Sequence, residues 1–264
     1  RLGWDLRASV GPFMLRRVKE DQLSGLPNKT IYCGVPQTDH ANVVYDEKLT
    51  ATMPGSQVEA YDQVLSDFKA NTAQGDGRGQ ALAALQKLRV ISLHPGLDQS
   101  DCLMTASAKE AKQVMKQSGK LSVLLERLEV IRNRGEKVIL FMVTKKLQML
   151  IKAWLDEIYG LDIGIINGDT QAVPKKSDTL SRKQMISRFE QEDGFNILIM
   201  SPVAAGVGLT IVGANHAIHL ERHWNPAKEA QASDRIYRIG QQKPVSIHLP
   251  ANLHPSVDAF DVHL

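Results

Sequence analysis

The stretch Lys137-Val-Ile-Leu-Phe-Met-Val143 is a continuous apolar run of the length expected for a strand that is buried on both faces. Further short apolar runs follow it, and helical patterns separate them. The predicted strands of this part are residues 137–143, 163–167, 196–200, 217–220 and 245–249. Strands that alternate with helices are typical of a parallel sheet flanked by helices. The sequence therefore predicts an α/β fold for residues 116–264.

Capping signals place the helices between these strands. Ser118 precedes an amphipathic helix that runs to about residue 133. Thr144 can cap a second helix, which stops at Gly160. Ser181 and Gln184 have the spacing of a capping box, which predicts a third helix from there to about residue 191.

Residues 1–115 differ in pattern, because they lack the alternation of strands and helices. One strand is predicted at Thr30-Ile-Tyr-Cys-Gly-Val35, and apolar residues at helical spacing predict helices at 58–69 and 81–93. We therefore divide the chain into a mostly helical part, residues 1–115, and an α/β part, residues 116–264.

Composition excludes some classes of protein but selects no single function. The 264 residues are 43% hydrophobic and 23% charged, which is typical of a globular protein. The net charge of +3 is compatible with a polyanionic partner without requiring one. No apolar run has membrane-spanning length, so no membrane partner is predicted. Cys33 and Cys102 lack metal-ligand spacing, so we predict no metal site; reduced thiols in a cytosolic protein are favoured over a disulfide.

Two arginines three residues apart lie in Gln231-Ala-Ser-Asp-Arg235-Ile-Tyr-Arg238-Ile-Gly-Gln241, and we expect them to open from a helix N-terminus. A guanidinium stays protonated near neutral pH, and its planar fork suits phosphate oxygens. The pair is either a solvated basic helix face or a pair of arginine fingers that stabilise a transferring phosphoryl group.

The flanking residues favour the second interpretation. Together with Trp224-Asn-Pro226, the segment resembles motif VI of the Swi/Snf family of ATP-dependent DNA translocases, within superfamily 2 helicases. The resemblance runs from about residue 11 to 250 and is strongest over 196–249. It implies a RecA-like lobe, the second of two in the motor, preceded by an inter-lobe linker and a helical protrusion within residues 1–115. It also implies catalytic roles for Arg235 and Arg238, and ATP-binding roles for Gln231 and for Asp234, which would orient the arginines.

A glycine loop, Ser201-Pro-Val-Ala-Ala-Gly206-Val-Gly208, directly follows a predicted buried strand. Glycines let a backbone approach a phosphate closely, although such a pair alone can be a simple tight turn. The loop resembles motif V of the same family, which usually reads S-T-R-A-G-G-x-G-L. Gly206 and Gly208 would bind ATP and Ser201 would face DNA, but Pro202, Val203 and Ala205 replace the usual threonine, arginine and glycine.

Other segments resemble the family's DNA-contacting motifs. Thr144 ends a motif IV-like strand, where its hydroxyl can meet a DNA phosphate as well as cap a helix. Gly168-Asp169-Thr170 is similar to a loop that meets the DNA backbone beside a helix N-terminus. Arg182 is either a phosphate contact or a solvated surface residue. Trp224 is either a buried anchor or a residue that wedges into the DNA minor groove.

Two ATPase motifs are absent from the sequence. It contains neither G-x-x-x-x-G-K-[S/T] nor a D-E-x-H run, which in the family belong to the N-terminal lobe. The resemblance implies that this lobe precedes Arg1 and binds most of the ATP and Mg²⁺. A chain that starts with Arg rather than Met is expected to be an excised fragment. The fragment alone should then be inactive as an ATP hydrolase.

The resemblance thus predicts the C-terminal motor lobe of an ATP-dependent translocase, with double-stranded DNA and the N-terminal lobe of the same protein as partners. Two alternatives remain: a non-catalytic DNA-binding scaffold with a degenerate motor, and a strand-separating helicase. Residues 249–255 suit bacterial members better than eukaryotic remodellers, which favours genome maintenance or phage defence. The expected location is the bacterial cytoplasm, associated with the nucleoid, or the nucleus if the source is eukaryotic.

Overall fold

A computed structural model describes residues 25–36, 43–72, 77–98, 103–170, 180–205 and 209–263. Within them lie nine strands and eight α-helices, with 3₁₀ turns at Glu47–Leu49 and Phe260–His263. The strands are β1 Lys29–Cys33, β2 Val43–Tyr45, β3 Thr50–Thr52, β4 Lys137–Phe141, β5 Gly164–Ile166, β6 Asn196–Met200, β7 His216–His219, β8 Val245–Leu249 and β9 Ala251–Leu253. The helices are α1 Gly55–Thr72, α2 Gly77–Leu93, α3 Ala108–Met115, α4 Gly119–Asn133, α5 Lys145–Tyr159, α6 Arg182–Gln191, α7 Pro202–Ala205 and α8 Pro226–Ser233.

Seven strands form one parallel sheet in the order β2-β1-β8-β7-β4-β6-β5. The predicted α/β class and parallel sheet are therefore confirmed, and the five strands predicted after residue 136 are all present. Every residue of β4 and β6 is buried, as expected for central strands covered on both faces.

The first part of the chain contributes to the same sheet. Strand β1, predicted one residue later, pairs with β8 from Lys29 opposite Val245 to Cys33 opposite Leu249, and β2 pairs with β1. Strands β3 and β9 form a second, two-stranded parallel sheet that the sequence did not predict. The division at residue 115 stays a prediction, but the pairing of β1 with β8 ties the two parts together.

Helices cover both faces of the main sheet, so alternate strand residues enter two cores. Val138 and Leu140 of β4 pack with the fully buried Trp154 of α5 and with residues of α3 and α4. Ile139 and Phe141 pack on the opposite face with residues of α6 and α8. No helix of the described residues has the length and apolarity needed to cross a membrane.

The hairpin of α1 and α2 is joined to the sheet by buried polar contacts. Gln57 of α1 donates to the carbonyl of Ile91 at 2.7 Å and accepts from the Gly119 N–H at 3.0 Å. The Lys120 ammonium donates to an Asp261 carboxylate oxygen at 2.5 Å, and both side chains are at most 3% exposed. Gln57 thus fixes the hairpin against the start of α4, and Lys120 joins α4 to the C-terminal 3₁₀ turn.

Candidate functional site

Four predicted DNA-facing positions follow four adjacent strands of the sheet. Thr144 follows β4, the turn 168–170 follows β5, Ser201 follows β6 and Trp224 follows β7. The carboxyl ends of parallel strands meet at one edge of a sheet, which is where open α/β sheets bind ligands. The structure therefore brings these positions together along one edge.

Thr144 occupies the N-cap position of α5, but its side chain makes no capping hydrogen bond. Its hydroxyl donates to one carboxylate oxygen of Glu221 at 3.0 Å, and its N–H donates to the other at 2.7 Å. The N–H of Val143 donates to that second oxygen at 2.8 Å. The donors expected to meet phosphate are thus engaged by a carboxylate of the same chain.

Arg182 supports the turn after β5 from the start of α6. Its Nε donates to the carbonyl of Thr170 at 2.8 Å, and a terminal nitrogen donates to the carbonyl of Asn167 at 3.2 Å. The Thr170 hydroxyl donates to the carbonyl of Ile165 at 3.1 Å and accepts the Asn167 N–H at the same distance. Arg182 therefore shapes the turn through its carbonyls; a solvated surface arginine does not describe it.

The outer side of this turn is open to solvent. Gly168 and Asp169 are exposed, and a carboxylate oxygen of Asp169 accepts from the Lys145 ammonium at 2.7 Å. Ser201, in contrast, is half-buried, and its N–H donates to the carbonyl of Ile166 at 2.9 Å. Lys145 thus adds a cation to this edge, and the sequence did not predict it.

Trp224 is 51% exposed, so the interpretation as a buried anchor is wrong. The edge of its indole packs on Phe260 with ring centroids 5.5 Å apart, and the Arg89 guanidinium lies 5.4 Å from the indole centroid. The ring is therefore held from two sides while one surface stays available to a ligand.

The two arginines of the motif VI-like segment do not open from a helix N-terminus. Helix α8 begins at Pro226, with Asn225 as its N-cap accepting the Ala227 N–H at 3.0 Å, and it ends before Arg235. Proline at the first helical position after an asparagine cap starts the helix early, so Arg235 and Arg238 lie in turns beyond its C-terminus.

Both guanidinium groups donate hydrogen bonds to the segment that follows the glycine loop. Arg235, only 4% exposed, donates to the carbonyl of Leu209 at 3.4 Å, and half-buried Arg238 donates to the Thr210 hydroxyl at 3.0 Å. Burial and the neighbouring positive charge of Arg238 lower the pKa of Arg235, while Asp234 raises it. Gly206 and Gly208 themselves lie outside the described residues.

The other two predicted ATP-binding residues lie at the end of α8. Gln231 is exposed on the helix. Asp234 accepts from the Lys29 ammonium at 3.3 Å, which links this segment to the start of β1. The contact with Lys29 was not predicted, and the orienting role of Asp234 stays a prediction.

A buried glutamine keeps the arginine segment in place. The side-chain amide of Gln241 donates to the carbonyls of Val212, Ala214 and Ile236, at 3.2, 2.8 and 3.1 Å. It thereby joins the turns after α8 to the segment before β7. The sequence predicts no role for Gln241, because its acceptors before β7 and after α8 come together only in the folded chain.

Comparison with known proteins places this arrangement in a family. The protein family described as the helicase conserved C-terminal domain matches residues 119–240 of this chain. The Zorya protein ZorD of Escherichia coli is 33% identical over 97% of this chain. The putative ATP-dependent helicase/translocase YwqA of Bacillus subtilis is 30% identical over the whole of it. The chain belongs to the Swi/Snf family.

Solved structures identify which part of a Swi/Snf protein this is. The Sulfolobus solfataricus SWI2/SNF2 ATPase core in complex with double-stranded DNA matches 95% of the chain at 26% identity, with a TM-score of 0.60. The C-terminal part of the Fun30 ATPase domain matches 90% of the chain and shares the fold, with a TM-score of 0.64 and 20% identity. The chain is thus a Swi/Snf C-terminal lobe, and it spans 22% of ZorD and 26% of YwqA.

Residues that the motifs do not include fix the Trp224 loop of this Swi/Snf lobe. Glu229 of α8 accepts from the Nε of Arg222 at 2.7 Å and from the N–H of His223 at 3.0 Å. His219, at the end of β7, hydrogen-bonds the Ser233 hydroxyl at 2.7 Å. The polar His219 at the end of an otherwise apolar strand was the signal that could have drawn attention to this loop.

Glu221 and Arg89 are the other functional candidates without a predicted role. Glu221 is 2% exposed and forms a 2.8 Å ion pair with Arg89 of α2. Among the residues that the structure describes, no group of three or more His, Cys, Asp and Glu side chains is placed to hold a metal ion.

Proposed function

We propose that this chain is the C-terminal motor lobe of an ATP-dependent translocase on double-stranded DNA. The observation that carries the proposal is that Arg235 and Arg238 both hydrogen-bond the segment 209–211, which follows the glycine loop in the chain. Two permanent cations at one site would stabilise the charge that develops on a transferring phosphoryl group. A lobe N-terminal to this chain would bind most of the ATP and Mg²⁺.

The two arginines differ in solvent exposure and would therefore act in different ways. Arg238 is the more exposed and would reach the γ-phosphate directly when the two lobes close. Arg235 is nearly covered and would contribute its charge beside Arg238 and hold the segment 209–211 in place. Hydrolysis would release the contact and reopen the cleft.

DNA would lie along the carboxyl edge of the sheet. The exposed turn at Gly168 and Asp169 would face the DNA backbone, with Lys145 beside it as a cation. Trp224 would enter the minor groove. Contacts to phosphate carry no sequence information, so movement would be independent of sequence and binding would weaken with salt.

The double substitution Arg235→Ala/Arg238→Ala in the full-length protein tests this function. DNA-stimulated ATPase activity should fall by about 10³-fold or more, the loss typical of a missing arginine finger. Duplex binding, measured by fluorescence anisotropy, should stay within about twofold because the proposal assigns these arginines to ATP rather than to DNA. Arg188→Ala, which removes an exposed arginine of α6, is the control. Undiminished turnover in the double variant would rule out the finger assignment.

The region after β6 favours a second candidate, a DNA-binding scaffold that has lost the motor. Val203, which stands where the family usually has arginine, is 54% exposed on the short helix α7. A wild-type protein that binds duplex DNA but hydrolyses no ATP would support the scaffold. A strand-displacement assay would separate translocation from unwinding. The similarity to ZorD supports phage defence, beside genome maintenance, as the setting, in the cytoplasm of a bacterium.

A further inference from the structure

Glu221 takes the place that an anion would occupy at the start of α5. Its carboxylate accepts two backbone N–H groups and the Thr144 hydroxyl, all within 3.0 Å. A helix N-terminus with such donors is a site that favours negative charge. Because the carboxylate already satisfies these donors, a DNA phosphate cannot use them in this arrangement.

Arg89 neutralises this buried carboxylate. Its terminal nitrogen lies 2.8 Å from Glu221 and 3.4 Å from the carbonyl oxygen of Arg222. The side chains of Arg89 and Glu221 are 13% and 3% exposed. A charge pair with so little solvent is well ordered, and leaving either partner alone would be costly.

The same guanidinium also contacts the exposed indole. Its central carbon lies 5.4 Å from the centroid of the Trp224 ring, within the range of a cation–π interaction. Arg89 belongs to α2, whereas Trp224 follows β7. A single side chain therefore connects the helical hairpin, the start of α5 and the aromatic residue at the DNA edge.

We propose that Arg89 and Glu221 are positioning residues that hold Trp224 in the orientation that engages the DNA minor groove. Glu221 fixes the guanidinium, and the planar guanidinium fixes the ring. This inference rests on the proposed function, because it concerns the same DNA edge. It assigns Thr144 to the support of Glu221 rather than to phosphate.

The test is a double-mutant cycle of Arg89→Lys and Trp224→Ala in the full-length protein. Lysine keeps the positive charge beside Glu221. It loses the planar guanidinium that bonds the Arg222 carbonyl and lies over the Trp224 ring. We expect Arg89→Lys to raise the DNA concentration at half-maximal ATPase activity about fivefold, with kcat within about twofold. In the Trp224→Ala background the same change should have no further effect.

A matched control is Arg127→Lys, which alters another largely buried ion pair, with Asp46 at 2.7 Å; Asp46 follows β2, three strands away from β7 in the sheet. Arg127→Lys should leave the DNA concentration at half-maximal ATPase activity unchanged. Additive effects of Arg89→Lys and Trp224→Ala, or no effect of Arg89→Lys alone, would overturn the positioning role. Glu221→Gln should reproduce the phenotype of Arg89→Lys, since it weakens the same contact.

The cycle also separates this inference from the proposed function. If the wild-type protein shows no DNA-stimulated ATPase activity, the motor proposal fails, and the cycle is read from the Kd for duplex DNA instead. Non-additive losses in that Kd would still support the positioning role. A wild-type protein that binds no duplex DNA would overturn both.

Discussion

His219 shows how a single buried residue at the end of a central strand contributes to the pH dependence of stability. The imidazole is fully buried, stacked on Phe141 with centroids 4.8 Å apart, and hydrogen-bonded to Ser233. Burial disfavours the charged form and lowers the pKa of His219 to about 4, although the nearby Glu229 acts in the opposite direction. The residue therefore stays neutral at physiological pH and serves packing.

The lowered pKa of His219 predicts a loss of stability in acid. Between pH 6.5 and about 4 the unfolded chain binds a proton that the folded chain does not, so the free energy of unfolding falls as the pH falls. The full effect of this residue is about 3 kcal/mol. In thermal unfolding, His219→Gln should reduce the difference in Tm between pH 7 and pH 5. The exposed His263→Gln should leave it unchanged, and equal behaviour of the two variants would contradict the assignment.

At the scale of elements, α6 illustrates a boundary that the local sequence encodes completely. The Ser181 hydroxyl accepts the Gln184 N–H at 3.3 Å, and the Gln184 side chain accepts the Ser181 N–H at 2.9 Å. This is the reciprocal capping box that the spacing predicted. It matters for the site because Arg182, the first residue of α6, supports the turn at 167–170.

Loss of this cap should have a measurable cost. Ser181→Ala leaves the N–H of Gln184 without its acceptor and should reduce the free energy of unfolding by about 1 kcal/mol. Urea denaturation followed by circular dichroism measures the change. Ser187→Ala, an exposed serine in the middle of the same helix, should change it much less. If the two substitutions cost the same, the cap does not stabilise α6.

At the scale of the whole molecule, buried polar contacts hold the α1–α2 hairpin on the sheet. Lys120 pairs with Asp261, whose second carboxylate oxygen accepts the N–H of Asn252 in β9 at 2.9 Å. The Asn252 side chain in turn donates to the carbonyl of Ser92 in α2 at 2.7 Å. The position of Arg89 relative to the carboxyl edge of the main sheet depends on this docking, because Arg89 lies on the same helix as Ser92.

Removing one partner of the buried pair should therefore destabilise the chain strongly. Lys120→Met leaves the Asp261 carboxylate buried without a counter-charge, which costs about 3–5 kcal/mol. Adding Asp261→Asn should recover most of this loss, since it removes the charge and keeps an oxygen for the Asn252 N–H. Chemical denaturation measures both variants. For comparison, Lys145→Met breaks an exposed pair and should cost less than about 1 kcal/mol. A Lys120→Met variant as stable as Lys145→Met would contradict the role of the network.

The sequence predicted the positions of some residues of the candidate site but not the contacts that those residues make. The positions of Thr144 and Ser201 at one edge followed from strand periodicity, because each residue comes directly after a recognisable apolar run. Trp224 lies in the loop that follows the predicted strand 217–220. The roles of Glu221 and Arg89 could not be predicted, because their ion pair joins residues 132 positions apart in the chain. For Arg235 and Arg238 the motif gave the chemistry, but the Asn-Pro start of α8 moved them beyond the helix C-terminus.

The sequence by itself determined the five strands after residue 136, several helix ends and the family: short apolar runs specified those strands, capping residues specified the helix ends, and the order of motifs matched Swi/Snf proteins. These features depend on neighbours within a few residues along the chain. Only the tertiary structure decided that β1 and β2 extend the main sheet, that Glu221 engages Thr144, and that one guanidinium from α2 contacts Trp224. Those contacts depend on which distant segments pack together, and that is fixed by the shared burial of whole faces rather than by any local pattern.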